Sequence, residues 1–128
     1  MEWYLKVMNE NYSKFNGRAR RKEYWMFTLI YFIIGVIAMF LDGFLGLGFD
    51  LGYGVSAHFG WIYTIVALIH FIPSVGVSVR RLHDVGKSGW FILISIVPII
   101  GSIWLLVLLC TDGDSSENAY GPSPKSVD

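Results

Sequence analysis

The sequence holds one cysteine, Cys110, so no disulfide can form within the chain and no Cys-x-x-Cys zinc signature exists. Charge is also scarce. Asp, Glu, Lys and Arg make up 16% of residues, against about 25% in ordinary soluble domains. Residues 24–41, 61–79 and 90–110 carry no Asp, Glu, Lys or Arg, and residues 42–60 carry no Lys or Arg. Formal net charge is zero, and little polar surface remains for the basic face that a soluble nucleic-acid binder needs, so no nucleic-acid partner is expected. There is no P-loop, dinucleotide fingerprint or nucleophile elbow. Asp112-x-Asp114-x-Ser116 opens like a calcium loop, but Glu117 stands where the loop requires glycine and Ser123 where it requires the closing glutamate. The three histidines, His58, His70 and His83, are too dispersed for a shared metal site. No cofactor, metal or catalytic residue is therefore expected.

Apolar length is what the chain does have. Hydrophobic residues make up 54%. At ~1.5 Å per residue, residues 24–41 cover roughly 27 Å, close to the ~30 Å hydrocarbon thickness of a bilayer. The pattern predicts an all-α integral membrane protein with about three transmembrane helices, over residues 24–41, 61–79 and 90–110. Pro98 falls near the middle of the third, where a kink is expected. The aromatics, including five Trp, suit anchoring at the lipid–water boundary.

The flanks have their own character. In residues 2–15, Trp3, Tyr4, Val7, Met8, Tyr12 and Phe15 share one helical face. Glu2, Lys6, Asn9, Glu10, Ser13 and Lys14 fill the other. This predicts an N-terminal amphipathic helix in the membrane interface; a small helix packed on the rest of the protein fits the same pattern. The basic run within 1–23 precedes an apolar stretch too long for a signal peptide and followed by no cleavage site, so it reads as an uncleaved anchor. The glycine-rich residues 42–60 read as an external loop. The polar tail, 111–128, is acidic and is expected to be poorly ordered.

Lys and Arg number six in residues 1–23, none in 42–60, three in 80–89 and one in the tail. The positive-inside rule then predicts a cytoplasmic N-terminus and 80–89 connector, an external glycine loop and, with three spans, an external tail. Arg18, Arg20, Arg21 and Lys22 should lie beside Arg80, Arg81 and Lys87. Together they either enforce topology or attract anionic lipid, at about 1 kcal/mol per charge. If the second helix continues, Asp84 pairs with Arg80 or Arg81 one turn away. A nearby carboxylate would favour protonated His83. His70 is an ionisable group inside a span, a functional position or a histidine hydrogen-bonded within the bundle.

Three motifs carry a resemblance. Phe15-x-Gly17-Arg18-Ala19-Arg20-Arg21-Lys22-Glu23-Tyr24-Trp25 is the first. Arg80-Arg81-Leu82-His83-Asp84 with Ser88-Gly89-Trp90 is the second, and Asn118-x-Tyr120-Gly121-Pro122-x-Pro124 the third. With the opening Trp3-Tyr4-Leu5-Lys6-Val7, they resemble the domain of unknown function 805 family of YhaH/YhaI-like bacterial inner-membrane proteins, over nearly the whole chain. The resemblance implies a small multi-pass inner-membrane protein of unestablished activity, with no catalytic residues to carry over. It also singles out the tail motif Asn118, Tyr120, Gly121 and Pro122. Were the three polar motifs to meet, the tail would return to the basic side, and the third stretch would re-enter at Pro98 and Gly101 instead of crossing.

The leading expectation is a non-enzymatic protein binding membrane lipid or a partner through its basic face. A small oligomeric transporter or channel subunit, suggested by His70 and Pro98, is the alternative, and would make the partner a second copy or another membrane protein. A lipid head-group enzyme using His83 and Asp84 is a third reading, weakened by the lack of a nucleophile.

Overall fold

The computed structural model describes residues 2–52, 55–122 and 124. A short helix, α1 (Glu2–Leu5), runs into one π-helical turn, Lys6–Glu10. Helix α2 (Arg21–Leu45) follows, then strands β1 (Gly48–Gly52) and β2 (Val55–Gly60), helix α3 (Trp61–Asp84), a 3₁₀ helix (Gly89–Ile96) and helix α4 (Ile100–Cys110).

Helices α2 and α3 form the frame. They have 25 and 24 residues, with mean hydropathy 2.2 and 1.9 over their most apolar windows. Each is about 36 Å long, enough to cross ~30 Å of hydrocarbon with a turn to spare. They run antiparallel, so the start of α2 meets the end of α3. Burial is inverted relative to a water-soluble protein. Phe32, Phe40, Phe44, Leu68 and Phe71 are all at least 60% exposed, while Arg80, Arg81, Asp42 and Asp84 are at most 2% exposed. Water would penalise that outer surface heavily and lipid would not.

At the far end, Asp42 ties the two helices together. Its carboxylate accepts from the backbone N–H of Gly60 (2.7 Å), Ile62 (3.0 Å) and Tyr63 (3.0 Å). These are donors at the start of α3 that have no partner within the helix, and the helix dipole favours an anion there. The glycine-rich segment between the helices, expected as a loop, is a two-stranded antiparallel ribbon, with Gly48 opposite Gly60 and Gly52 opposite Val55. Gly46, at φ 70°, closes α2 in the left-handed conformation. Replacing Asp42 by Asn keeps one acceptor and loses the charge. Unfolding in detergent should then show α2–α3 weakened by about 1–3 kcal/mol; an unchanged midpoint would remove Asp42 from the frame.

The third apolar stretch departs from the straight span predicted for 90–110. The eight-residue 3₁₀ helix and the eleven-residue α4 each reach only about 16 Å at their respective rises, half the hydrocarbon thickness. Between them the chain reverses. The Ile100 N–H donates to the Pro98 carbonyl at 2.7 Å across Ile99, whose φ of 66° and ψ of −67° mark the rare, strained form of the γ-turn. A Cβ on Gly101 would overlap the Ile94 carbonyl, so only glycine lets the two limbs touch. The stretch is a hairpin, and it brings Leu109 and Cys110 back to the end of the frame where it began, their carbonyls accepting from Arg81, Trp25 and Arg21.

The N-terminal segment is helical only to Glu10, not to residue 15. It packs on the frame: Val7 is fully buried with Phe27, Val77 and Ala19, and Tyr4 and Met8 lie against them. Beyond it the backbone crosses Gly76, whose missing side chain admits the Lys14 carbonyl, and Ala19 donates its N–H to the Arg80 carbonyl at 2.9 Å.

Candidate functional site

The basic end of the frame holds a buried ionic cluster around Asp84. α3 continues through Arg80–Asp84, which puts Arg81 and Asp84 one turn apart, and Arg81 Nη1 donates to Asp84 Oδ2 at 2.7 Å. Arg18, from the extended residues before α2, donates through Nε to Asp84 Oδ1 at 2.9 Å. These side chains are 3% exposed or less. One carboxylate thus serves two guanidinium groups, one on each oxygen. Arg80 does not pair with Asp84. Its Nη1 meets Glu23 Oε1 at 2.8 Å, also buried, and joins α3 to the first turn of α2.

The remaining guanidinium N–H groups hold the tail. Arg18 donates to the carbonyls of Ser116 (2.9 Å), Gly121 (3.1 Å) and Asp114, and Arg81 to those of Leu109 (3.1 Å) and Thr111. The Asp114 N–H returns a bond to the Asp84 carbonyl at 2.7 Å. The expectation of a poorly ordered tail is therefore corrected for residues 111–122. Their backbone carbonyls are the acceptors two buried cations require. Residues 123 and 125–128 lie outside the described residues.

The tail motif shapes this return. Asn118 and Gly121 exchange backbone hydrogen bonds, both 3.1 Å, and the Asn118 side chain caps the Tyr120 N–H at 2.9 Å. Asn118 Nδ2 also reaches the His83 carbonyl at 3.0 Å. The turn lays the Tyr120 ring flat on His83, with centroids 3.9 Å apart. His83 Nδ1 faces the Gly17 carbonyl at 2.9 Å, so Nδ1 carries the hydrogen. Gly121, at φ 121°, takes a conformation that side chains disfavour; Pro122 follows it, exposed.

Of the basic residues singled out by sequence, Arg18, Arg80 and Arg81 are interior frame. Arg21, Lys22 and Lys87 are exposed. Arg21 reaches the Cys110 carbonyl (3.2 Å) and Asp112 (3.6 Å), and Lys87 lies over Phe91. Arg20, half-buried, gathers with Lys6 and Lys22 around the Trp3 ring, each cation 5.5 to 5.7 Å from its centroid.

His70 lies away from this end, stacked on Tyr31 at 4.5 Å. Its Nδ1 faces the Val66 carbonyl at 2.7 Å, which can only accept, and its Nε2 lies 2.8 Å from the Tyr4 hydroxyl. Burial raises the Tyr4 phenol above its ordinary 10.0, so the hydroxyl keeps its proton and donates to Nε2.

Sequence reading missed Glu23, Lys6, Lys14 and Trp3 as site residues. Glu23 had a signal: it is the single acid within a basic run and opens the first apolar stretch.

The sequence pattern of the family described as "Protein of unknown function (DUF805)" matches residues 12–122. The chain belongs to the DUF805 family. Among curated proteins it is 46% identical to "Inner membrane protein YhaI" of Escherichia coli strain K12, covering 98% of this chain and 97% of that one. It is 42% identical to "Inner membrane protein YhaH" of the same strain, covering 98% of each. It is 26% identical to "Uncharacterized protein YiiR", covering 88% of this chain and 87% of the other. No solved structure matches the chain. The inner-membrane names of YhaI and YhaH agree with the exposed apolar surfaces of α2 and α3, both long enough to cross a membrane. In this DUF805 chain all three resembling motifs converge on the Asp84 cluster, the first through Arg18, the second through Arg81 and Asp84, the third through Asn118, Tyr120 and Gly121.

Proposed function

We propose that the chain is a non-enzymatic inner-membrane protein that binds anionic lipid at its basic end, with N-terminus and tail both cytoplasmic. The observation that carries this is the gathering of the described Lys and Arg side chains at one end of the frame, none lying in 42–60. The positive-inside rule favours the cytoplasmic side for that end. The exposed members, Lys6, Lys22 and Lys87 with aromatic neighbours Trp3 and Phe91, support the reading, because cations beside aromatic rings at the end of an apolar wall suit lipid phosphates.

The competing readings have weaker support. Both oxygens of Asp84 accept from arginine, which leaves it poorly suited to proton transfer. His83 is covered by Tyr120. Both ring nitrogens of His70 are engaged within the bundle, and Pro98 turns a hairpin instead of kinking a pore helix.

The test uses exposed cations, because neutralising Arg18, Arg80 or Arg81 would test folding. Purified in mild detergent, the native protein should carry anionic lipid above its share in the membrane. Arg21→Gln, Lys22→Gln and Lys87→Gln together remove about 3 kcal/mol of attraction, and enrichment should fall at least tenfold. Lipid content equal to that of the bulk membrane in the native protein would overturn the reading.

A further inference from the structure

We infer that a pocket beneath the N-terminal segment binds one phosphate-bearing anion. The inference deepens the lipid-binding reading and rests on it. The pocket has a volume of about 240 Å³ and is lined by Trp3, Lys6, Lys14, Arg80, Glu10 and Glu23, among others. That is below the ~300–1,000 Å³ typical of sites for drug-sized ligands, and suits a phosphate with a small substituent.

Charge and hydrogen bonding point to an anion. Arg80 is 2% exposed. Its Nη1 is taken by Glu23 and its Nε by the Lys14 carbonyl at 3.3 Å, while its Nη2 has no partner among the described residues. A buried guanidinium N–H without an acceptor is unusual, and marks a place where an unseen acceptor belongs. Of the other lining cations, Arg18 is answered by Asp84. Lys6 and Lys14 have no carboxylate partner among the described residues. Arg20, which also lines the pocket, has an interaction of its own, and Glu10 is the one lining acid besides Glu23 among the described residues. Among the described residues the lining therefore keeps positive charge, and Arg80, one of the lining residues, carries an unmet donor, the combination that phosphate oxygens satisfy.

The elements that build the pocket explain its position. The π-helical turn Lys6–Glu10 supplies Lys6 and Glu10, and the following residues bring Lys14 across Gly76. α3 supplies Arg80 and α2 supplies Glu23. Trp3 and Arg20 also line the pocket, so it adjoins the group of Lys6, Arg20 and Lys22 around the Trp3 ring. A lipid head group and a free phosphate ester share the required chemistry.

The experiment titrates the full chain, in mild detergent, with inorganic phosphate, glycerol 3-phosphate and dihexanoyl phosphatidylglycerol, followed by calorimetry. Saturable binding at one per chain is expected for at least one of the three. Lys6→Gln with Lys14→Gln, both outside the buried frame, should weaken it at least tenfold with the thermal midpoint unchanged. Arg80→Lys keeps a cation beside Glu23 but removes Nη2, and should weaken it similarly in protein verified as folded. Tightest binding of the lipid identifies a head-group site; equal or tighter binding of inorganic phosphate or glycerol 3-phosphate identifies a free-phosphate site. No saturable binding, or binding unaltered in the folded Lys6/Lys14 variant, overturns the pocket. Anionic lipid enriched in the native extract without a saturable phosphate site would sink the pocket alone, whereas absence of enrichment sinks the lipid reading itself.

Discussion

Asp84→Asn is expected to abolish most folded protein. The substitution leaves the Arg18 and Arg81 guanidinium groups facing each other across a neutral amide, in a place where their side chains are no more than 1% exposed. Removing one partner of a buried ion pair costs about 3–5 kcal/mol, and here one carboxylate serves two cations. Against a total stability of about 5–15 kcal/mol for a typical domain, that is a large fraction. The tail should also come loose, because the two arginines that hold its carbonyls lose their anchor. The measurement is the unfolding midpoint in detergent, with limited proteolysis of residues 111–122. A companion variant separates ion pairing from shape. Arg18→Met, Arg81→Met and Asp84→Leu together remove every charge of the cluster, and a buried ion cluster replaced by apolar groups is often neutral or stabilising. The triple variant should recover the frame while the tail stays protease-sensitive, since its carbonyls then have no donors. A single Asp84→Asn that unfolds at the native midpoint would show that the cluster does not hold this end together.

Gly101→Val should open the hairpin. The added side chain meets the Ile94 carbonyl and, at 3.0 Å, the Val97 Cβ. A carbonyl within a 3₁₀ helix has no rotamer by which to move away. Overpacking commonly costs about 1–3 kcal/mol, and a backbone overlap lies at the upper end or beyond it. Ile99 already holds a strained γ-turn at the tip, which adds to the tendency to open. The consequence is read as topology. In a Cys110→Ser background, cysteines placed one at a time at the exposed Ser13 and Ser115 should be labelled by an impermeant thiol reagent from the same side of the membrane. With Gly101→Val, labelling at position 115 should become mixed or move to the other side. Labelling of positions 13 and 115 from opposite sides in the otherwise native chain would refute the re-entrant course.

Much of the frame was legible because hydrocarbon imposes a simple rule: a long uncharged run must be a helix that satisfies its own backbone. That rule marked 24–41 and 61–79, and both lie inside the observed helices. It misjudged 90–110 because length and hydropathy cannot tell one crossing from two half-length limbs. The distinguishing features were local: Pro98 and Gly101, which only the resemblance of the tail motif suggested, and the strained Ile99, which the sequence reading did not mark. At the site, the spacing of Arg81 and Asp84 along α3 was readable, since helical periodicity fixes that distance. The partner of Arg80 was not, because Glu23 is remote in sequence and reaches it only when α2 and α3 pack antiparallel. Lys6 and Lys14 were read as the polar face of a helix, yet they line a pocket because the chain leaves the helix after Glu10 and crosses Gly76.

The amino-acid order by itself determined the solvent this protein lives in, the two crossing helices and the end that carries positive charge. These follow from transfer free energies that each residue brings with it regardless of its neighbours. Tertiary structure alone decided that the third apolar stretch turns back, that Arg18, Arg80 and Arg81 become interior braces, and that the tail is clamped beside the N-terminal segment. Those outcomes depend on buried charges finding acceptors, and a buried cation takes whichever carboxylate or carbonyl the fold brings within reach.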